Sequence, residues 1–496
     1  AHMTYEDMRG WIVEAEKLGE LRVVKGASWE RDIGMAAEVV LHDEAAPCII
    51  FDDVPGCPPG FRMLINFFAG QRKCMTMGFP PEFNKLELTD GVHAHMKNVE
   101  SIPHEIVTEG PILENIMEGD DIDVEKFPAP MWHDKDGGRY IGTGSYNVTR
   151  DPDTGWINIG TYRVMIQSKN EVGFYISPGK HGRIHRDKYE AKGERMPACI
   201  VLGGDPLAFL MGCTELPPGE CEYDILGGYR GHALECVKGK HTGLPFPANA
   251  EVVIEGFIEP NHKKMEGPFG EYTGYFGGDQ GPKHVTKVTA ITHRDQPIFR
   301  GTLEGTLPKM LNENSVMSSV QRAGVAWNVL ERAGVPGVTD VHCSPANNGT
   351  TLFIQLHQTY RGQAKQAAAA IWGSNASHLR YKHIWVVDED IDIHDYGAVD
   401  WAFAYRVNAA ENDIVFFPDS WGSLLDPSTR LKDRDPMLYG TGKWCRVLID
   451  ATVNLDFEPE EQYNGERYPA MVIPHKEDME KVKERWKEYG FESDFD

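Results

Sequence analysis

The sequence predicts a mixed α/β protein with an N-terminal α/β unit, a central β-rich unit and a C-terminal α/β domain reached through a long helix. Three observations predict this organisation. The 496 residues are 41% apolar and 25% charged, as in folded domains. Short β-rich runs with Gly/Pro turns fill the region 140–298, and strand and helix patterns alternate after residue 350.

The N-terminal unit begins with an amphipathic helix in TYEDMRGWIVEAEKLGEL. Thr4 and Asp7 have capping-box spacing, Met8 and Trp11 begin an apolar stripe, and Gly19 marks the end. Short strands are predicted at 20–24 and in the runs PCIIFDDV and RMLINFF. The first hundred residues should therefore form a small α/β unit.

The central region is predicted to be a barrel or a sandwich of mixed strands. Its β-rich runs are INIGTYRVMIQS, GFYIS, ACIVLGG, EVVIEGFIE and HVTKVTAITH. Helical signals are few here. A stable helix at His181 is not expected, because Pro178, Gly179 and Gly182 surround this residue.

A long helix is predicted to connect the central unit to the C-terminal domain. Val316, Val320, Ala323, Trp327 and Leu330 recur at helical spacing before Gly-Val-Pro ends the pattern. Beyond it, strand TTLFIQL, helix QAKQAAAAIW, strand HIWVVDED and helix AVDWAFAYRV alternate. This alternation predicts a separate α/β domain with at least one crossover unit.

Charge and cysteine usage exclude several classes of function. The formal net charge of −25, with no basic patch, disfavours nucleic acid and anionic membrane as partners. No run of 18 apolar residues occurs, so no membrane span is predicted. The nine cysteines are scattered without a Cys-x-x-Cys pair, which argues against a disulfide framework or a zinc ribbon and favours a reducing cytoplasm.

The stretch EGPFGEYTGYFGG places Glu266 and Glu271 on either side of a Gly-Pro-Phe-Gly turn. Glycine allows close approach of a ligand, and aromatic side chains can line a dry pocket, where burial raises the pKa of a carboxylic acid toward the range useful for proton transfer. The alternative is a glycine-rich hairpin with both glutamates in water. This stretch alone favours that alternative.

A second group of candidates lies in NIGTYRVMIQS and the following turn. Arg163 offers a planar cationic fork for a carboxylate, while Asn158 and His181 offer ligands that a divalent metal accepts. His181 and His185 could bind zinc if they lay on one helix. The acidic residues of CTELPPGECEYD form either a solvated loop or a source of one more metal ligand; they are Glu215, Glu220, Glu222 and Asp224.

Four of these motifs together resemble the UbiD family of reversible decarboxylases, which depend on prenylated FMN. NIGTYR, PGKH, PPGECEYD and EGPFGEY occur in family order and at family-like separations, and the resemblance extends over nearly the whole chain. It implies four segments: an N-terminal α/β domain at 4–120, a prenylated-FMN-binding split β-barrel at 121–311, a connecting helix at 312–334 and a C-terminal α/β oligomerisation domain at 335–496.

The resemblance also implies a set of site residues. The catalytic residues would be Arg163, Glu266 and Glu271. The ligands of a Mn²⁺ that holds the cofactor phosphate would be Asn158, His181 and Glu222, with K⁺ near Glu222. Further residues lining the cofactor would be Thr143, Thr161, Tyr162 and Lys180. The substrate wall would include Ser315 to Ser318 and the loop Ser423 to Ser428.

The implied activity is reversible, non-oxidative decarboxylation of an aromatic, heteroaromatic or α,β-unsaturated carboxylic acid through a covalent adduct with prenylated FMN. Glu271 would deliver the proton, Arg163 would orient the substrate carboxylate, and Glu266 would set the charge on both. A flavin prenyltransferase would supply the cofactor, CO₂ would be the second product, and the protein would form homodimers or homohexamers. Two alternatives remain: an FMN-dependent split-barrel oxidoreductase, for which the Glu-Arg-Glu set has no use, and a non-catalytic flavin-binding protein.

Overall fold

The computed structural model describes residues 1–41, 43, 45–177, 180–214, 216–277, 280–305, 313–434 and 441–492. It confirms the predicted mixed α/β fold class, with a curled nine-stranded half-barrel sheet and four smaller sheets among the described residues. All nine cysteines are free thiols. No helix among the described residues has the length and apolar character needed to cross a bilayer.

The N-terminal unit is a small sheet covered by helices. Its elements are α1 (Met8–Lys17), β1 (Leu21–Lys25), α2 (Asp32–Val40), β2 (Cys48–Asp52), β3 (Arg62–Ile65), α3 (Arg72–Met77) and α4 (Lys85–Lys97). β1 pairs parallel with β2, and β2 pairs antiparallel with β3. Asp7, and not Thr4, caps α1, because its carboxylate accepts from the Gly10 N–H at 2.8 Å.

The central unit contains most of the strands. They are β4 (Glu105–Ile106), β5 (Asn115–Glu118), β6 (Tyr140–Gly142), β7 (Tyr146–Arg150), β8 (Ile157–Gly160), β9 (Val164–Ser168), β10 (Glu171–Gly173), β11 (Met196–Gly203), β12 (Glu235–Lys238), β13 (Pro245–Pro247), β14 (Val252–Glu266), β15 (Phe269–Gly270), β16 (Phe276–Gly277), β17 (Gly281–His293) and β18 (Ile298–Arg300). The half-barrel has the order β6-β9-β10-β17-β14-β11-β7-β8, with β5 on β17. β18 joins the N-terminal sheet beside β3, so backbone pairing links the two units. The boundaries of the implied domains stay a prediction.

Three helices cover the half-barrel, which the sequence pattern did not indicate. They are α5 (His181–Ala191), α6 (Pro206–Gly212) and α7 (Glu222–Arg230). The expectation that no helix forms at His181 is wrong. The helix begins at His181 itself. Glycine at 182 allows Tyr162 to pack against the helix, because a Cβ at this position would lie 2.7 Å from the Tyr162 hydroxyl.

The connecting helix and the C-terminal domain follow the prediction closely. Their elements are α8 (Glu313–Arg332), β19 (Val338–Cys343), β20 (Thr351–Leu356), α9 (Gln363–Trp372), β21 (His383–Asp388), α10 (Tyr396–Arg406), β22 (Ile414–Gly422), β23 (Gly442–Ala451) and α11 (Lys476–Glu484). The sheet order is β19-β20-β21-β23-β22, and β20, β21 and β23 are parallel, which confirms the predicted crossover connections.

Helix α8 packs on both sides and so fixes the C-terminal domain against the rest. Met317 and Val320 belong to the core that includes Leu88 and Val92 of α4. Ala326 and Leu330 belong to the core of the C-terminal sheet. Because α8 contributes to both cores, it links the packing of the C-terminal domain to that of the rest of the chain.

Candidate active site

Arg163 lies between the two predicted glutamates. Its Nε and Nη2 donate to Oε1 and Oε2 of Glu266, both at 2.9 Å, and its Nη1 donates to Oε1 of Glu271 at 2.7 Å. The three side chains are 11%, 2% and 11% exposed, in the order Arg163, Glu266, Glu271. The alternative of glutamates in water is therefore wrong, and the arginine is bidentate to one buried acid and monodentate to the other.

The local backbone explains this arrangement. Glu266 ends the long strand β14, and the chain then turns through Gly267, whose φ of +87° favours glycine, and a cis Gly267–Pro268 peptide bond. β15 and β16 form a small hairpin that returns Glu271 to the arginine. Gly277 is required in that hairpin, because a Cβ there would collide with Cγ of Glu271.

The environments of the two acids differ. The Tyr140 hydroxyl donates to Oε1 of Glu266 at 2.7 Å, so this carboxylate accepts three charge-assisted or phenolic hydrogen bonds. For Glu271, burial raises the pKa, and attraction to Arg163 offsets only part of that effect. Burial would lower the pKa of Arg163, but attraction to Glu271 and Glu266 outweighs it and raises that pKa, so the guanidinium stays charged.

Arg163 and Glu271 line a cavity of about 230 Å³ between the half-barrel and the C-terminal domain. The four residues predicted to line the cofactor all lie in its wall; they are Thr143, Thr161, Tyr162 and Lys180. The wall also includes parts of both predicted substrate regions, namely Ser318 of α8 and Ser423 of the loop after β22.

An adjoining cavity of about 190 Å³ brings together the three predicted metal ligands. Asn158, His181 and Glu222 all line it, and Thr161, Tyr162 and Lys180 belong to both cavities. Each ligand comes from a different element: Asn158 from β8, His181 from the start of α5 and Glu222 from the start of α7.

Glu222 has the character of a metal ligand. The side chain is buried and accepts from the Ile159 N–H at 3.0 and 3.2 Å. In the part of the chain that the structure describes, no lysine or arginine pairs with it. Burial, opposed by the Ile159 hydrogen bond, raises the pKa of Glu222 to about 8. A buried carboxylate without a side-chain counter-charge fits a bound cation.

The other described members of the two candidate clusters do not line this cavity. His185 does share a helix with His181, but its Nδ1 pairs with the Thr149 hydroxyl at 2.9 Å and its ring packs on Trp156. Asp224 accepts from Nδ1 of His104 at 2.8 Å. Glu220 is exposed, and Glu215 lies outside the described residues, as do Pro178 and Gly179. Among the described acidic residues of this stretch, Glu222 lines the cavity with Asn158 and His181, and Glu220 and Asp224 do not.

Sequence reasoning missed three charged residues of the cavity wall, Glu304, Arg322 and Arg380. Burial, reinforced by repulsion from Glu271, raises the pKa of Glu304 to about 7. No motif marks Glu304 or Arg380. Arg322 had a detectable signal, since Ser315, Ser318 and Arg322 recur at i, i+3 and i+7 on one helix face.

Family models match 340 of the 496 residues (residues 105–307 and 315–451), covering two domains. The first is described as the 3-octaprenyl-4-hydroxybenzoate carboxy-lyase Rift-related domain and the second as the C-terminal domain of the same enzyme. The chain belongs to the UbiD family. It is accordingly a carboxy-lyase of the UbiD class.

Similar UbiD-family proteins include enzymes with named substrates. A pyrrole-2-carboxylic acid decarboxylase of Pseudomonas aeruginosa is 29% identical over 477 residues, 91% of each chain. HmfF of Pelotomaculum thermopropionicum, solved in complex with FMN, has a TM-score of 0.80 at 28% identity, covering 96% of this chain and 99% of that one. An evolved dimeric form of HmfF was solved with prFMN. The vanillic acid decarboxylase of Sedimentibacter hydroxybenzoicus, in its closed form, has a TM-score of 0.83 at 26% identity, covering 98% and 99%.

Proposed function

We propose that this UbiD-family chain catalyses the reversible, non-oxidative decarboxylation of an aromatic, heteroaromatic or α,β-unsaturated carboxylic acid with prenylated FMN. One observation carries the proposal: Arg163 is held by two buried acids at the wall of a cavity that adjoins a cluster of hard metal ligands. The names of the similar decarboxylases support the substrate class.

The residues present fit the cofactor and its ions. Asn158, His181 and Glu222 would hold a Mn²⁺ beside the cofactor phosphate, with K⁺ near Glu222, and Thr143 and Lys180 would line the flavin. The oxygen donors and the imidazole suit Mn²⁺, and the buried carboxyl of Glu222, which has no lysine or arginine partner among the described residues, supports a cation there. Bound prenylated FMN would supply the electron sink for the pair of electrons left when CO₂ departs.

Three residues of the chain would orient the substrate, hold the arginine in place and transfer the proton. Two N–H groups of the Arg163 guanidinium, one on Nη1 and one on Nη2, are not used by the glutamates and can orient a substrate carboxylate. Glu266 fixes the arginine and keeps its charge in place. Glu271 holds the proton that returns to the substrate carbon, and its raised pKa keeps a larger fraction protonated than an exposed glutamate would.

The decisive experiment is Glu271→Gln in protein produced together with a flavin prenyltransferase. CO₂ release is measured with pyrrole-2-carboxylate, vanillate and 3,4-dihydroxybenzoate, and flavin content is read from the absorption spectrum. We expect at least ~100-fold lower turnover with flavin retained, the scale typical of a general acid. The matched control is Glu235→Gln, an exposed residue of β12 outside both cavities.

Near-normal turnover of the Glu271→Gln protein would remove Glu271 from the proton-transfer role. Failure of the unmodified, flavin-loaded protein to release CO₂ from any acid would contradict the proposed function itself. Supply of the cofactor by a flavin prenyltransferase, assembly into homodimers or homohexamers, and a cytoplasmic location stay predictions.

A further inference from the structure

Two arginines from separate elements converge on the wall of the active-site cavity. Arg322 extends from the third turn of α8, and Arg380 lies in the segment before β21. Gly349 lies beside both, since a Cβ at this position would be 3.3 Å from Cδ of Arg380 and 3.8 Å from Nη1 of Arg322. The two like charges are therefore neighbours in the folded chain.

Neither guanidinium has an acidic partner among the described residues. Nη1 of Arg322 donates to the Asn348 side-chain oxygen at 3.1 Å, and Nη1 of Arg380 donates to the carbonyl oxygen of the adjacent Leu379 at 3.0 Å. Nε of Arg380 is buried without a hydrogen-bond partner in the described part of the chain. Burial lowers the pKa of Arg322, and repulsion from Arg380 lowers it further.

Two other buried arginines have more hydrogen-bond partners than the pair, although the Nε of each, like that of Arg380, is buried without a partner in the described part of the chain. Arg300 donates to Glu313 at 2.8 Å and to Asn314 at 2.6 Å. Arg446 donates to four carbonyl oxygens, those of Arg380, Tyr381, Ser377 and Trp421. Two adjacent cations that lack such partners are stabilised when an anion binds between them.

The position of the pair favours a substrate group as that anion. The guanidinium of Arg380 lies over the ring of Tyr272 at 5.5 Å, and Tyr272 directly follows Glu271. Both arginines line the same cavity as Glu271 and Arg163. Glu304 also lines it, and its carboxylate accepts from Nδ2 of Asn314 at 2.7 Å.

We propose that Arg322 and Arg380 form a subsite for a second carboxylate, so that the substrate is an aromatic dicarboxylic acid. The first carboxylate meets Arg163 and Glu271, and the second meets the two guanidinium forks, whose planar donors match a carboxylate. This inference rests on the proposed function, because it names the substrate class of that site.

The test measures binding, so it does not depend on turnover. Benzoate and the three benzenedicarboxylates (phthalate, isophthalate and terephthalate) are titrated calorimetrically into the flavin-loaded protein. At least one dicarboxylate should bind roughly 10- to 100-fold more tightly than benzoate, the effect of charge-assisted hydrogen bonds to one carboxylate. Arg322→Met and Arg380→Met should each remove most of this preference.

Two further variants test whether the binding preference depends on the guanidinium forks of the pair or would change on loss of any arginine. Arg322→Lys keeps the charge but loses the fork, and should retain part of the preference. Arg361→Met is the matched control, since Arg361 is 78% exposed and pairs with Asp456 outside the cavity. It should bind all four acids as the unmodified protein does.

Three results would overturn the subsite. They are equal binding of benzoate and all three dicarboxylates, an unchanged preference in both methionine variants, or loss of flavin in a folded Arg322→Met protein, which would assign the arginines to the cofactor phosphate. If the flavin-loaded protein releases CO₂ from none of the monocarboxylic acids and none of the dicarboxylates, while the dicarboxylate binding preference still depends on Arg322, the proposed function fails and the subsite stands.

Discussion

Arg163→Met tests whether the two glutamates depend on the guanidinium for their burial. The substitution removes three charge-assisted hydrogen bonds of 2.7 to 2.9 Å and leaves Glu266 and Glu271 facing each other, 2% and 11% exposed. Breaking a buried ion pair by removing one partner costs about 3–5 kcal/mol. For a unit of about 200 residues this corresponds to a melting temperature lower by roughly 6–20 °C.

The lowering of the melting temperature in Arg163→Met should depend on pH, and the charges of the two acids decide whether it grows or shrinks as pH rises. Burial already raises the pKa of Glu271, and without Arg163 no guanidinium opposes that effect, so its folded-state pKa should lie further above the unfolded value of about 4.3. Carboxyls with raised pKa values destabilise the fold increasingly as pH rises above that unfolded value. The difference in melting temperature between variant and unmodified protein should therefore be larger at pH 8 than at pH 5.5.

The assay is differential scanning calorimetry of the flavin-free proteins at both pH values, with Arg361→Met as the exposed-arginine control. Comparing variant with parent at each pH cancels changes common to both. A melting difference that is the same at pH 5.5 and pH 8, or that matches the control, would refute the reasoning that the arginine neutralises two buried acids.

Two other substitutions test the geometry of the site. Gly277→Ala should displace Glu271 and lower turnover by roughly 100-fold, the usual effect of a shift of about 1 Å, with flavin retained. The control is Gly324→Ala, where the atom nearest to an added Cβ is 3.5 Å away. Unchanged kcat in Gly277→Ala, or an equal loss in the control, would contradict this expectation. His181→Ala should lose Mn²⁺ and flavin together on dialysis, measured by elemental analysis and absorption. The control is His357→Ala, at an exposed histidine. Retention of both Mn²⁺ and flavin, or the same loss in the control, would reject His181 as a ligand.

The sequence predicted the fold correctly where apolar residues recur at helical spacing or where strand and helix patterns alternate regularly. The stripe on α8 and the alternation after residue 350 gave the connecting helix and the parallel strands, because a buried helix face and a crossover leave regular patterns. The helix at His181 was missed because the glycine at 182 serves contact with Tyr162, a tertiary effect that local propensity does not contain.

The site could be predicted only where residues lie within a motif. Glu266, Glu271 and Arg163 are marked by glycine-rich and strand motifs, and the structure brings them within hydrogen-bonding distance. Glu304 and Arg380 have no such mark, because they reach one cavity wall only through the packing of the C-terminal domain against the rest of the chain. Spacing along the chain cannot indicate a cavity wall built from segments far apart in sequence.

The unequal hydrogen bonding of the two acids supports the proposed choice of Glu271, and not Glu266, as the proton donor. Glu266 accepts from two nitrogens of Arg163 and from Tyr140, all at 2.7 to 2.9 Å, and is not among the residues that line the cavity. Glu271 accepts one bond from Arg163 and faces the cavity, and burial raises its pKa. Exchanging these roles would place the proton on the acid that does not line the cavity. The arrangement therefore agrees with the proposal that Glu266 holds the arginine and Glu271 gives its proton to the substrate.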